Sequence, residues 1–260
     1  MFSAANVKIA KLADDPALAE FFVTRKSDGS VAKRKRKVYS FDLASGYSCP
    51  YARECLSKVK VNDKGKRKIF DGPDTKYRCF SASQEALFSG VYNKRFRNFQ
   101  TVRSMNTDQL VLLISEAMPD NLGVCRIHVA GDFYSQAYFD AWLEIAKLNP
   151  SRLFYAYTKS LPFWVRRIAD IPDNFRLTAS YGGRRDDLID ANNLRKSVVV
   201  YHPENAEALG LEIDHDDSHA AKHGGDFALL IHGTQPKGSE ASDAIRKLKK
   251  EGVKYSYGKE

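Results

Sequence analysis

Val124-Cys125-Arg126-Ile127-His128-Val129-Ala130-Gly131-Asp132 decides the fold. It is an apolar run of strand length that ends in polar and glycine residues. The pattern returns in Leu153-Phe154-Tyr155-Ala156-Tyr157-Thr158-Lys159-Ser160 and in Phe175-Arg176-Leu177-Thr178-Ala179-Ser180-Tyr181-Gly182-Gly183. Helix-period segments near 135–148 and 162–170 fill the gaps. Strands buried in a parallel sheet read as nearly continuous apolar runs, and alternation with helices of this length makes β/α units.

Outward from this stretch the alternation continues. Residues 184–194 read as a helix, 197–201 as a strand, 204–209 as a helix, 227–232 as a strand and 239–251 as a last helix. Upstream, Val38 to Leu43 reads as a strand and Lys76 to Phe80 as a short extended piece. Ser83 caps a long helix from Gln84 to Val102, and Thr107 caps another from Asp108 to Met118, ended by Pro119 and Gly123. About six strands joined by right-handed crossovers give an α/β fold. The expectation is a partial parallel β/α barrel, or a complete one if weak strands escaped the count, with a doubly wound open sheet as the competitor. Residues 38–260 form this single barrel-like domain, with a cysteine-rich loop over 44–80 and a basic N-terminal extension over 1–37.

A chain of 260 residues with 43% hydrophobic content suffices for one sizeable core. The formal charge of +9 suits a polyanionic partner, a nucleotide or nucleic acid. The excess sits in Lys33-Arg34-Lys35-Arg36-Lys37, around Lys64 to Lys68, Arg95 to Arg103 and Lys247 to Lys250; a solvated basic face would have the same composition. No apolar run is long enough to span a membrane and no secretory signal opens the chain, so a cytoplasmic protein without membrane association is expected. Nothing in the sequence fixes the oligomeric state.

The strands end in a ring of polar groups: Ser81 and Ser83, His128 and Asp132, Thr158 and Lys159, then Ser180 with Gly182 and Gly183. Loops at one rim of a β/α sheet converge on a ligand, which makes His128, Asp132, Lys159 and Ser180 the candidate catalytic set. Ser81, Ser83 and Thr158 are candidates for cofactor binding. So are Gly182, Gly183 and Arg184, because a glycine turn beside guanidinium groups resembles an anion-binding turn. Ordinary turn and cap residues have similar compositions.

Cys49, Cys55 and Cys79 lie in or beside the loop after the first barrel strand. Cys125 starts its strand, on the order of 20 Å from the Gly131 end, and reads as a buried apolar thiol. Clustered cysteines in a reducing compartment are metal ligands or catalytic groups more often than bridges. Zinc would need a fourth ligand, whereas a 4Fe-4S cluster held by three cysteines leaves one iron open; unligated thiols are the third option.

That arrangement looks like the radical S-adenosylmethionine enzymes, which implies a cluster that binds S-adenosylmethionine. The usual Cys-x3-Cys-x2-Cys spacing and a clear glycine-rich cofactor motif are absent here. Ala44-Ser45-Gly46-Tyr47-Ser48-Cys49-Pro50, Glu54-Cys55-Leu56, Phe70-Asp71-Gly72-Pro73 and Tyr77-Arg78-Cys79-Phe80-Ser81-Ala82-Ser83 resemble the phage and mobile-element family called gene product eighty-eight. The resemblance continues through Arg126-Ile127-His128, Gly131-Asp132-Phe133 and Tyr157-Thr158-Lys159-Ser160, and implies a mobile-element context without a mechanism.

His215, His219 and His223 recur every four residues, so a helix would align them beside acidic groups as a transition-metal row or as a polar surface face. Tyr92, Phe96 and Phe99 interleave with Lys94, Arg95 and Arg97 on a helix that could contact nucleic acid, though aromatics at this spacing also build cores. The expected function is an iron-sulfur enzyme, radical S-adenosylmethionine-like, acting on a nucleotide or nucleic-acid-related substrate. The alternative is a nucleic-acid-binding protein stapled by zinc or a cluster, with the helix over 91–103 on phosphate.

Overall fold

The computed structural model describes residues 1–23, 30 and 35–253. Lys33 and Arg34 of the basic run lie outside the described residues. The N-terminal segment holds β1 (Ser3–Ala4), α1 (Val7–Ala10) and α2 (Ala19–Phe22), followed by β2 (Lys37–Phe41). A hairpin of β3 (Ser57–Val61) and β4 (Arg67–Asp71) precedes α3 (Phe80–Leu87), α4 (Ser89–Val102) and α5 (Thr107–Glu116). The alternating part runs β5 (Leu122–Ile127), α6 (Gln136–Leu148), β6 (Leu153–Thr158), α7 (Leu161–Val165), β7 (Phe175–Ser180), α8 (Asp187–Ala191) and β8 (Lys196–Val200). It closes with α9 (Pro203–Ala208), α10 (Ser218–Ala221), β9 (Phe227–Leu230) and α11 (Glu240–Lys250).

Among the described residues seven strands form one sheet in the order β1-β2-β5-β6-β7-β8-β9, and β3 pairs only with β4. Every pair from β2 to β9 is parallel, while β1 is antiparallel to β2. The order follows the chain and never turns back, which removes the doubly wound alternative with its reversal point. A complete barrel is also corrected: β1 occupies the free edge of β2, where a closing strand would pair, and the outer edge of β9 meets an isolated parallel bridge from Ile213 to Ala228 instead of a strand of the sheet.

Alternate residues along each strand face opposite layers. One face sets Phe41, Cys125, Ile127, Phe154 and Leu177 against Tyr138, Phe139 and Trp142 of α6. The other sets Val38, Val124, Leu153 and Tyr155 against Ile9, Leu12, Leu18, Phe21 and Phe22. The segment expected as a basic extension therefore supplies one layer of the core. Full burial of an aliphatic or phenyl side chain, as at Phe41, Ile127, Phe154, Leu12 and Leu18, removes apolar surface worth about 1.5–3 kcal/mol.

Local departures from the sequence expectations have local causes. The helix expected over 84–102 is two helices, broken at Phe88 (φ −110°, ψ 109°) ahead of the weak helix formers Ser89 and Gly90. Ser83 lies inside α3, whose N-cap is Cys79. Asn106, not Thr107, caps α5: its side chain accepts from Gln109 N while the Gln109 side chain accepts from Asn106 N, a capping box. The segment 76–80 is not a strand; Lys76 N and Tyr77 N both donate to Glu54 O. The β3–β4 hairpin is additional to the expected elements, and its turn chemistry lies in Asn62-Asp63-Lys64-Gly65: Asn62 Oδ1 accepts from Lys64 N and Lys66 N, and Gly65 takes φ 72°.

The histidine row does not form. Asp217 adopts φ 68° and α10 has one turn, so only His219 falls within it. His219 Nε2 pairs with Glu212 at 3.0 Å, and its ring packs on Phe227; His215 and His223 are exposed.

Candidate functional site

The loop after β2 is bound down along its length. Asp42 Oδ1 accepts from Val129 N (2.7 Å) and Ala130 N (3.3 Å), and Leu43 N donates to Ala130 O. His128, with φ 70°, turns the chain out of β5 so that these amides meet Asp42. Gly131 (φ 92°) allows the closest approach, since a Cβ there would lie 2.6 Å from Ser48 Oγ and 2.8 Å from Leu43 Cβ.

Further along, Glu54 N donates to Gly182 O, Arg184 N donates to Tyr51 O, and Ala52 bridges Gly183. Glu54 is buried and pairs with Lys76 at 2.6 Å. The segment before α3 is clasped from the far edge of the sheet: Arg78 N donates to Gln235 Oε1 (2.7 Å), and Gln235 Nε2 donates to Arg78 O (3.1 Å). Phe80 lies against the His232 ring at 4.7 Å.

These attachments bring Cys49, Cys55 and Cys79 to the wall of one cavity of about 170 Å³ at the C-terminal ends of the parallel strands. All three are free thiols, partly exposed. Burial pushes the Cys49 thiol well up, with Asp132 and the other two cysteines adding repulsion. Burial and Cys55 raise Cys79 to about 11, against the pull of the Ser81 and Ala82 amides at the start of α3. Cys49 and Cys79 are therefore protonated at neutral pH unless a cation joins them. Cys125 is wholly buried in the helix-facing core.

Among the described residues no three His, Cys, Asp or Glu side chains are gathered so as to hold a metal ion. A small closed zinc cage is therefore not preformed.

The other candidates fall into three settings. Asp132, Lys159 and Ser180 come together on the cavity wall. Asp132 accepts from Thr158 Oγ1 (2.6 Å), Phe133 N (2.7 Å) and Lys159 N (2.8 Å), and burial raises it to about 6 against those bonds. Lys159 Nζ donates to Ser180 Oγ (2.6 Å), Ser180 O (3.1 Å) and Tyr181 O (2.9 Å). Among the described residues no carboxylate forms an ion pair with this buried ammonium.

His128 borders the cavity, but its ring packs between Phe133 and Tyr138, whose hydroxyl lies 3.1 Å from Nε2. Burial, aided by Arg126, lowers it to about 3, so it stays neutral.

The remaining candidates are engaged in holding the fold. Thr158 bonds Asp132, Ser81 Oγ donates to Val129 O, and Ser83 Oγ donates to Thr234 O. The anion turn is filled from within: Gly182 N and Gly183 N each donate to the Asp186 carboxylate at 2.9 Å. The Arg184 side chain is exposed, and Arg185 pairs with Asp187.

Sequence reasoning missed the far wall. Arg126 Nη1 bonds Asp217, which also accepts from Tyr155 (2.9 Å) and Tyr157 (3.3 Å), and the guanidinium lies 5.0 Å from the Tyr157 ring centroid. A gap of 91 positions separates Arg126 from Asp217, and no local pattern spans it.

The family model for Gene product 88 matches residues 7–250. The chain belongs to the gene product 88 family. It is 25% identical over 209 residues to the Gene 88 protein of Mycobacterium phage L5, covering 77% of this chain and 73% of that one. It is 27% identical over 123 residues to the Gene 88 protein of Mycobacterium phage D29, covering 44% of this chain and 43% of that relative. No solved structure matches the chain. The matched span includes the three cavity cysteines, the hairpin between them and the whole β5–β9 series of this gene product 88 member.

Proposed function

We propose that this gene product 88 protein is an iron-sulfur enzyme whose 4Fe-4S cluster is held by Cys49, Cys55 and Cys79. The observation that carries the proposal is the convergence of three unbridged cysteines on one cavity at the C-terminal end of a parallel sheet. The sheet, with its parallel strands in chain order, is read as a partial β/α barrel, the architecture that places chemistry at that end. Bound there, the cluster would supply an open iron and an electron for the reductive cleavage of S-adenosylmethionine.

The chain's own groups have definite tasks. As thiolates, the three cysteines hold the metal, and the Ser81 and Ala82 amides favour the anion at Cys79. Lys159, tethered to Ser180 and Tyr181, presents a positive charge to an anionic group of the substrate. Asp132 fixes Lys159 through its backbone, and Arg126 with Asp217 and Tyr157 forms a rigid polar wall. Phe80, Leu229 and Ile231 keep that part of the cavity dry. A nucleotide or nucleic-acid-related substrate fits the charge of +9.

Anaerobic purification followed by titration with S-adenosylmethionine tests the proposal. The expected protein is brown, and its broad visible thiolate-to-iron band shifts as S-adenosylmethionine is added. A colourless protein carrying one zinc per chain would replace this proposal with a structural staple.

A further inference from the structure

The β3–β4 hairpin pairs with no other strand among the described residues and stands between Cys55 and Cys79 in the chain. It carries Lys58, Lys60, Lys64, Lys66, Arg67 and Lys68 against Asp63 and Asp71, and Asp71 is already paired with Arg78 at 2.6 Å. Its two faces differ. Ser57 and Val59 are buried, whereas Lys58 and Lys60 point the other way and stand directly opposite Phe70 and Lys68.

Two lysines directly across a strand pair repel each other. Neither has a carboxylate within ion-pair distance among the described residues. What holds them is an aromatic ring: Lys60 and Lys68 approach the Phe70 centroid to 4.7 and 5.7 Å. Lys58 approaches the Tyr47 ring to 5.4 Å, and Tyr47 continues edge-on to Phe96, which stacks on Tyr92. Phe70 is 42% exposed and Tyr47 36%. The result is an outward row of alternating ammonium groups and rings, with unrelieved like charge at its centre.

We infer that this ribbon is a binding surface for single-stranded nucleic acid. Phosphates would relieve the Lys60–Lys68 repulsion, and unstacked bases would lie on the Phe70 and Tyr47 rings, a combination that acidic peptides lack. Of the charges on the helix expected to do this, Arg95 is buried against Glu85 and Lys94 Nζ donates to Phe2 O and Ser3 Oγ, which leaves Arg97 exposed without the paired rings and opposed lysines of the ribbon. The root of the ribbon belongs to the cavity wall, since Ser57 lines the cavity and accepts from Cys79 N at 3.2 Å. A bound strand would therefore lead toward the cysteines. That consequence rests on the proposed enzyme, while binding at the ribbon does not.

The test is fluorescence anisotropy of a labelled oligothymidylate of about a dozen nucleotides, a length suited to one such surface, across a salt series. The Lys60→Gln/Lys68→Gln double variant is expected to lower the salt slope by about 1.4, near 0.7 per lost phosphate contact. Phe70→Ala should weaken binding about tenfold, the stacking contribution of one base. Lys249→Gln/Lys250→Gln, on the exposed face of α11, should change little, and polyglutamate should compete poorly. Ultraviolet crosslinking mapped by mass spectrometry, which needs no variant, should label peptides holding Tyr47 or Phe70.

Unchanged affinity and slope in the ribbon variants, crosslinks confined to other segments, or equal competition by polyglutamate would overturn the inference. Iron content measured on the same preparations separates the two proposals: loss of binding with iron retained concerns the ribbon, and absent iron with binding retained concerns the cluster.

Discussion

Cys79 and Cys125 carry the same thiol into opposite settings. Cys125 pairs in register with Tyr39 and Phe154 and is sealed into apolar packing, whereas Cys79 starts a helix at the cavity wall. Cys125→Ser should cost about 1–3 kcal/mol for an unsatisfied buried hydroxyl, measured by urea unfolding, and leave iron content unchanged. In metal-free protein the Cys79 thiol, held near 11, should alkylate slowly at pH 7 and much faster above pH 10, as followed by mass spectrometry of its peptide. Rapid labelling at pH 7 would contradict that setting.

Asp132 gives a second pH dependence. Its folded value, raised to about 6 from 3.8, makes its stabilising contribution complete below 3.8 and lost as pH rises through about 6. That loss is on the order of 3 kcal/mol. Asp132→Asn cannot titrate, so the stability difference between wild type and variant should drift by roughly this amount between pH 4 and pH 7. Parallel curves would show that the carboxylate is not desolvated. The local sequence named Asp132, Lys159 and Ser180 as rim residues because each ends a strand. It could not reveal that the Gly182-Gly183 amides are taken by Asp186, since one carboxylate four residues on looks the same whether it turns inward or outward.

At the scale of elements, periodicity located the order and type of the alternating series, because buried parallel strands and amphipathic helices differ in period, but it overran α7 and α8, which are Leu161–Val165 and Asp187–Ala191. The β3–β4 hairpin and the break at Phe88 escaped, since a basic two-stranded ribbon lacks an apolar run and a one-residue interruption leaves helical spacing almost intact. The seat of that hairpin is Gly46 (φ 70°), where a Cβ would lie 2.5 Å from Ser57 O and 2.9 Å from Lys58 Cβ. Gly46→Ala should unseat β3 and lower both thermal stability and iron uptake. Gly65→Ala, at φ 72° with open space around it, should cost only the left-handed strain of about 1–2 kcal/mol and leave iron uptake intact. Equal effects from the two substitutions would mean that the close approach at Gly46 does not organise the cysteine loop.

On the scale of the whole molecule, the cavity is assembled from segments that meet only when the sheet is complete. The loop after β2 supplies Cys49 and Cys55, the start of α3 supplies Cys79, the ends of β6 and β7 supply Lys159 and Ser180, and the turn before α10 supplies Asp217. The N-terminal segment covers the opposite sheet face, and β1 blocks closure of the sheet. Chain-order pairing was implied by consecutive β/α units, but the antiparallel edge was not, because two residues of β1 carry no periodic signal. Iron and acid-labile sulfide determination on anaerobically purified protein is the most direct measurement. The expected result is iron and sulfide in equal amounts in the wild type and in Cys125→Ser, and near-complete loss in each of Cys49→Ser, Cys55→Ser and Cys79→Ser with the fold retained by circular dichroism. Iron and sulfide absent from the wild type, or retained in all three cavity variants, would contradict the assignment of these cysteines as cluster ligands.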